Sequence, residues 1–378
     1  MDLANYEDQI LEISIMEDAP KEIPTYFLAR GLYDAPRNDK TRVYRDVPKV
    51  LPPLRLASER ASAKRNDRLT LAEWTVRRDN PLTARVTVNR YWQMLFGTGL
   101  VESTENFGVQ GARPTHPELL DYLALRFIHS GWNVKQLLKE IVLSATYRQD
   151  SARTPKLQQV DPDNRLLARG PSFRLSAEML RDTALEASGL LVDRVGGPPV
   201  NPYQPAGLWT ENNSMTPGFV QSTGPGLYRR SIYSTWKRTT PVPSILLFDA
   251  TSREACSVKR PTTNTPLQAL VLLNDVQYVE AARVLAEKVL AEKGDDVGRI
   301  KTVFRRLAGR DPDTQEQSVL LETYHEQEGQ FKVDPASAVK LIHMGDSKPP
   351  ESLPGPQLAA MTIAVQTVMN SDSVVWRR

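Results

Sequence analysis

The sequence predicts a mainly α-helical protein with a helical core, long ordered proline-rich loops and at most a small β element. Capping residues mark a series of helices along the chain. The 378 residues include 28 prolines, above the usual share of about 5%, and proline without a repeat is typical of stiff connections. With 40% hydrophobic and 25% charged residues, the chain is globular and long enough for two packed units.

The predicted organisation has four segments. Residues 1–67 are an extended approach segment, because six prolines between positions 20 and 53 exclude a long helix. Residues 68–190 are a helical core, residues 191–264 a long basic and aromatic loop region, and residues 265–378 a C-terminal helical unit. No stretch of eighteen apolar residues occurs, so no membrane span is expected.

Within the core segment, capping residues predict four successive helices. They are residues 82–96 after Asn80 and Pro81, 117–130 with a capping box of Thr115 and Glu118, 134–148 after Asn133, and 177–188 after Ser176.

Beyond residue 190 the helical signals pause and then resume. Glycine and proline make 190–240 a long loop, in which 229–236 supplies one short strand through its β-branched and aromatic residues. Thr265 and Gln268 form a capping box for one helix over 267–293. Its first turns, 267–273, are apolar on every face, which predicts burial. Further helices are expected at 297–308, 313–328 and 357–369.

The helix over 82–96 carries two polar residues beside its apolar arc, Arg85 and Asn89. A buried arginine needs a carboxylate, phosphate or carbonyl partner. We therefore expect Arg85 and Asn89 to be structural buried polar groups, with Arg85 in an ion pair that joins two helices. Contact with a ligand is the alternative.

The most basic segment is 229–260, where seven basic and two acidic residues give +5, against +3 for the whole chain. Aromatic residues lie among these charges. Such a cluster binds anionic groups or sugars, but it also fits a structural role in which the arginines tie the loop to carboxylates and helix ends. Nucleic acid is not an expected partner, since the net charge of the chain is small.

A candidate anion or glycan site follows from this segment. In it Arg229, Arg230, Arg238 and Arg260 contact the anion, and Asp249 orients one of them through a bidentate pair. The indole of Trp236 lies beside them.

Two residues are candidates for reactivity, Cys256 and His116. Basic neighbours make a thiol more nucleophilic, although most free cysteines are buried apolar groups. The single cysteine excludes a disulfide, a cysteine zinc cluster and a CxxCH haem site within this chain. The metal, serine-hydrolase and P-loop motifs HExxH, GxSxG and GxxxxGK[ST] are absent, so no metal and no cofactor are expected in this chain.

Several long phrases are similar to one family. NPLTARVTVNRYWQMLFGTGLVESTENFG begins at residue 80, NRLLARGPSFRLSAEMLRD spans 164–182, and LYRRSIYSTWKRTTPVPSILLFDATSREACSVKRPTTNTPLQALVLLND spans 227–275. They resemble the planctomycete-type Domain of Unknown Function 1553, the PSD domain. The matching polar positions are Arg30, Arg85, Asn89, Arg90, His116, Arg148, Arg174, Arg181, Asp182, Arg229, Arg230, Arg238, Asp249, Cys256, Thr265 and Gln268.

The resemblance implies that residues 68–378 form one compact domain of a longer exported protein. Upstream it would carry a cytochrome c domain holding haem c and a second uncharacterised domain. The implied function is an accessory or binding domain in the catabolism of sulfated polysaccharides, with an anionic glycan as partner. Alternatives are an oxidoreductase that passes electrons to the haem, and a scaffold that docks the cytochrome domain, so whether the chain is an enzyme stays open.

The same resemblance implies a periplasmic or extracellular location. The N-terminal sequence has no signal peptide, so a cytoplasmic location is expected if Met1 is the true start. We expect the chain to be a fragment.

Overall fold

The computed structural model describes residues 14–17, 19, 21, 23–54, 66–209 and 218–377. Residues 1–13 and 55–65 of the predicted approach segment lie outside the described residues. The described part is mainly helical, as predicted. Its helices are α1 (Arg68–Thr75), α2 (Thr83–Phe96), α3 (Pro117–His129), α4 (Val134–Leu143), α5 (Pro155–Val160), α6 (Ala177–Ser188), α7 (Pro243–Leu246), α8 (Pro266–Asn274), α9 (Val276–Ala291), α10 (Asp296–Ala308), α11 (Thr314–Val333), α12 (Pro335–Ile342), α13 (Gly355–Met369) and α14 (Asp372–Val375).

The small β element consists of two antiparallel pairs of two-residue strands. They are β1 (Thr25–Tyr26) with β2 (Arg42–Val43), and β3 (Phe173–Arg174) with β4 (Trp376–Arg377). None of the helices that the structure describes is long and apolar enough to cross a membrane.

The predicted caps agree with most helix starts. Helix α6 begins after Ser176, whose hydroxyl accepts a hydrogen bond from the Met179 amide, and the capping box of Thr265 and Gln268 opens α8. The capping box predicted for α3 is wrong. The N-cap of α3 is His116, because the Thr115 amide instead donates to the Leu100 carbonyl at 2.9 Å.

The single helix predicted over 267–293 is two helices. Asp275 has extended backbone angles (φ −66°, ψ 130°) and caps α9 by accepting from the Gln277 amide, so the helical axis is interrupted there. The predicted burial of the first turns is wrong as well. Leu267 and Leu270 are 54% and 55% exposed, whereas Leu272 on the same helix is buried.

The strand predicted within 229–236 is absent from this described segment. Ser231–Tyr233 form a short 3-10 turn, and two isolated bridges flank it, Val192 with Arg229 and Val200 with Ser234. A chain that turns after each bridge cannot extend the ladder, although the bridges still order the loop.

Contacts divide the chain into two units. The first comprises the described residues up to Tyr91 together with His116–Glu140, and the second comprises Trp92–Thr115 together with the described residues from Ile141 onward. In the first unit, the indole of Trp74 donates to the Pro52 carbonyl at 2.9 Å, which fixes α1 on the proline-rich segment.

The core of the second unit is the pair α9 and α13. Both helices are almost entirely buried, and their alanines, including Ala282 and Ala286 on α9 and Ala360 and Ala364 on α13, are fully enclosed. Small side chains allow two helix axes to approach closely. Helix α6 packs on α9, so this part of the predicted 68–190 segment shares its core with the C-terminal helices.

Buried polar side chains fasten the loops of the second unit to this core. The Glu280 carboxylate on α9 accepts from the hydroxyls of Tyr203 (3.0 Å) and Tyr228 (2.8 Å) and from the Ser347 amide (2.7 Å). Burial, reinforced by the Glu280 charge, raises the pKa of both tyrosines, which therefore stay protonated donors.

Arg181 on α6 performs the same task for residues 227–231. It is 1% exposed and donates to the carbonyls of Leu227 and Arg229, both at 2.7 Å. Its Nε donates to the Gln277 side chain at 2.7 Å. A loop without a β ladder thereby has its buried carbonyls satisfied by a guanidinium.

Candidate functional site: a cationic groove

The arginines singled out from the sequence differ in their surroundings. Arg229 is buried at 6% exposure, lies 3.8 Å from the ring centroid of Tyr233, and donates through its terminal nitrogens to the carbonyls of Arg194, Gly196 and Pro198. Its terminal nitrogens are engaged and its Nε is buried without a partner, so Arg229 holds its own loop and is not exposed to a ligand.

The other three arginines lie on the surface. Arg230 pairs with Asp193 at 3.2 Å. Arg260 makes a forked pair with Glu178 at the first turn of α6, with contacts of 2.8 and 3.1 Å. Burial would raise the pKa of Glu178, but the hydrogen bonds from Arg260, the helix backbone and Ser176, together with the charge of Arg260, outweigh it and the pKa is lowered. Arg238 is exposed.

Asp249 does not form the expected bidentate pair with one of these four arginines. Its carboxylate accepts from the Thr263 amide at 2.7 Å and from the Thr263 hydroxyl at 2.9 Å. That hydroxyl accepts from the Gln268 amide nitrogen at 3.0 Å, and the Gln268 amide oxygen accepts from Arg174 Nη2 at 2.9 Å. Asp249 therefore orients an arginine, Arg174, through two intervening side chains.

Trp236 and Arg260 anchor the segment 249–264, which we call the basic loop. The Trp236 indole donates to the Ser252 carbonyl at 3.0 Å, and Arg253 lies over its ring at 5.0 Å from the centroid. Cys256 is exposed on this loop.

The remaining predicted residues belong to the first unit. Arg85 pairs with Asp121 on α3 at 2.6 Å and donates to the Pro81 carbonyl, so the pair joins two helices. The Arg85 side chain is 38% exposed, so Arg85 is not buried as predicted. Asn89 is buried, at 0% exposure. His116 is half-buried before α3.

The second unit contains two adjoining cavities of about 460 and 890 Å³. Arg153, Ser172 and Trp376 line both, and we call the two adjoining cavities together the cationic groove. None of the ten residues predicted from the sequence lines either cavity. The smaller cavity is basic: its charged lining residues are Arg153, Arg165, Arg169, Arg174, Lys259, Glu102 and Asp163.

The basic residues of the smaller cavity are not equally available. Arg169 donates to the carbonyls of Asp161 and Pro162, and Arg165 pairs with Glu102 at 3.1 Å. Arg153 and Lys259 are exposed, and neither forms a hydrogen bond or an ion pair within the part of the chain that the structure describes. These two cations are free to meet an anion.

Arg174 is the third cation of this cavity, and it is partly engaged. One terminal nitrogen donates to Gln268, while its Nε is buried without a partner. Burial lowers the pKa of the Arg174 guanidinium, and the charges of Asp372 and Asp249 oppose that shift. A buried donor without an acceptor is unfavourable, and the positive charge of Arg174 adds to the attraction of this cavity for an anion.

The strand pair β3–β4 determines where Arg174 and Trp376 lie in the groove. Arg174 lies opposite Trp376, and Phe173 lies opposite Arg377. The Arg377 guanidinium donates to the Leu95 carbonyl at 2.8 Å and lies 4.5 Å from the ring centroid of Tyr147. The short strand β4 is therefore held firmly, and its tryptophan forms a fixed wall of the groove.

Sequence reasoning missed Arg153, Arg174 and Lys259 as site residues. Arg174 and Gln268 were among the positions that match the family signature, and Lys259 lies in the +5 segment, so two signals existed. Arg153 has no comparable signal in the sequence. No group of three or more His, Cys, Asp or Glu side chains able to hold a metal ion occurs among the described residues.

The fold and the groove define a mainly α-helical domain with a polar, cationic cleft built from loops and one short strand pair. The model of the PSD1 family, described as "Protein of unknown function (DUF1553)", matches residues 67–324. This is more than half of the chain, so the chain belongs to that family, as its motifs predicted. No curated protein and no solved structure matches the chain.

Proposed function

We propose that this domain binds an anionic carbohydrate, and that the sulfate or carboxylate of the ligand lies among Arg153, Arg174 and Lys259. The observation that carries the proposal is that these three cations, all with unengaged donors, line one cavity. The proposal keeps the predicted ligand class and replaces the predicted contact residues.

The chemistry of the cavity suits such a ligand. A guanidinium offers two parallel donors to a sulfate or carboxylate, and an ammonium adds a compact charge. The indole of Trp376 presents an apolar face to a sugar ring, and the hydroxyls of Ser172 and Thr98 lie on the same lining. In the intact protein this binding domain would accompany the exported cytochrome c domain that the family resemblance implies.

The test is calorimetric titration of the full chain with sulfated polysaccharides (κ-carrageenan and chondroitin sulfate), carboxylated polysaccharides (alginate and polygalacturonate) and desulfated κ-carrageenan. We expect one charged class to bind and its uncharged counterpart to bind at least about tenfold more weakly, a difference of one charge-assisted contact. Because Arg153 and Lys259 are exposed, added salt should weaken binding.

Two variants locate the site, and one matched control removes the same charge elsewhere. Lys259→Ala and Arg153→Ala should each weaken binding about tenfold, whereas Arg238→Ala, exposed and outside both cavities, should leave it unchanged. The proposal fails if no charged polysaccharide binds, or if Arg238→Ala weakens binding as much as Lys259→Ala does.

A further inference from the structure

The two cavities of the cationic groove differ in chemistry. Arg153 lines both cavities and is unengaged, whereas three other charged groups of the larger cavity have partners. Arg310 makes a forked pair with Glu316 and donates to Ser373. Arg377 donates to the Leu95 carbonyl, and the Asp150 carboxylate accepts from the Ala152 amide. Apart from the shared Arg153, the larger cavity therefore offers fewer free charges than the smaller one, which Lys259 and Arg174 also line.

The two cavities adjoin. Trp376, Arg153 and Ser172 line both, so a ligand that contacts the Trp376 indole in one cavity lies next to the other. Pockets of about 300–1,000 Å³ hold a drug-sized molecule, and each cavity alone, at about 460 and 890 Å³, is within that range. The groove is larger than one sulfated sugar needs.

We infer that the ligand is an oligosaccharide chain that spans both cavities. One charged sugar lies in the smaller cavity against Arg174 and Lys259, and the next sugars of the chain extend past Trp376 into the larger cavity, with their own charged groups directed to solvent. This inference rests on the proposed function and adds to it a minimum ligand length and a direction of the chain.

Asn264 and Lys259 allow the two cavities to be tested separately. Asn264 is exposed on the basic loop and lines only the larger cavity, whereas Lys259 lines only the smaller one. Neither side chain forms a hydrogen bond within the described part of the chain, so replacing either by alanine leaves the fold intact. Thermal unfolding followed by circular dichroism verifies that.

The experiment is calorimetric titration of the full chain with κ-carrageenan oligosaccharides of two, four and six sugars, in which a sulfated galactose alternates with an uncharged anhydrogalactose. If another charged polysaccharide class binds instead, its oligosaccharides of the same lengths replace them. We expect affinity to rise at least about tenfold from two sugars to six. The salt dependence of the affinity should be the same for all three ligands, because the protein binds one charged group of the ligand at every length.

The variants give the second readout. Asn264→Ala should weaken binding of the six-sugar ligand about fivefold and leave the two-sugar ligand unchanged, whereas Lys259→Ala should weaken both. If affinity is equal at all lengths and Asn264→Ala has no effect, the ligand does not span both cavities, although the proposed function stands. A salt dependence that grows with length means that the larger cavity takes a second anion, which also overturns the inferred binding mode. If no oligosaccharide or polysaccharide binds, the proposed function itself fails.

Discussion

Basic residues in two regions of the second unit have different roles. Around residues 227–231, Arg181 and Arg229 are enclosed, and their terminal nitrogens donate to backbone carbonyls. In the cationic groove, Arg153 and Lys259 are exposed and form no hydrogen bond or ion pair within the described part of the chain, and Arg174 is only partly buried. The first region is the more basic in sequence, yet the second is where charge is available to a ligand.

The difference has a simple physical origin. A long loop buries carbonyls that no helix or sheet ladder satisfies, and an arginine with five donors is well suited to bind several of them. The groove is polar and open to solvent, so its exposed cations Arg153 and Lys259 need no protein partner. A cluster of arginines in the sequence therefore indicates either a loop whose buried carbonyls they bind or a site that binds an anion. Only the hydrogen-bond partners of the arginines in the structure distinguish the two cases.

The largest expected effect tests the structural region. Arg181→Leu leaves the carbonyls of Leu227 and Arg229 without donors, and we expect a loss of about 3–5 kcal/mol in the free energy of unfolding, measured by urea denaturation. Lys259→Ala, the matched change in the groove, should alter it by less than about 0.5 kcal/mol. Similar losses in both variants would remove the distinction between the two regions.

The next effect tests how the groove is supported. Gly97 has φ +82°, and an added Cβ would lie 2.7 Å from the Phe173 Cβ. We expect Gly97→Ala to destabilise the fold by about 2–3 kcal/mol, since backbone strain and a steric overlap combine. It should also weaken glycan binding, because Phe173 precedes Arg174.

Gly131→Ala is the control for this substitution. Gly131 has a similar φ of +71° but no atom within 4 Å of an added Cβ, so only the strain of about 1 kcal/mol is expected. Urea denaturation compares the two. Equal destabilisation would show that the contact between Gly97 and Phe173 contributes nothing to the groove.

The smallest effect concerns the ion pair between Glu316 and Arg310, of which Arg310 lines the larger cavity. Hydrogen bonding from Arg310 lowers the pKa of Glu316 from 4.5 to about 2. A depressed carboxyl pKa contributes stability above the unfolded pKa, and that contribution is lost as the pH falls through the folded pKa. The wild type should therefore be more stable than Glu316→Gln by up to about 1 kcal/mol above pH 5.5.

That stability gap should shrink as the pH falls from about 4.5 towards 2. Urea denaturation at a series of pH values measures it, and Glu326→Gln, on an exposed face of the same helix, serves as the control. A gap that persists at pH 2.5 would mean that Arg310 is not engaged by the Glu316 carboxylate.

Local signals in the sequence predicted most of the helices. Ser176 caps α6, whose bounds agree with the prediction residue for residue, and the capping box at Thr265 opens α8. The break at Asp275 and the exposure of Leu267 were not predicted, because both depend on what packs around the helix rather than on its own residues. The prediction of a capping box at Thr115 was wrong for a similar reason, because the Thr115 amide donates its hydrogen bond to the Leu100 carbonyl.

The sequence by itself determined the fold class, the family and the presence of an excess of basic and aromatic residues after residue 227. Only the tertiary structure decided which cations are free. Arg229 meets a carbonyl 31 positions away, and Arg174 meets an amide 94 positions away. The availability of a guanidinium depends on such distant partners, because hydrogen bonds act over about 3 Å in space, whatever the separation along the chain.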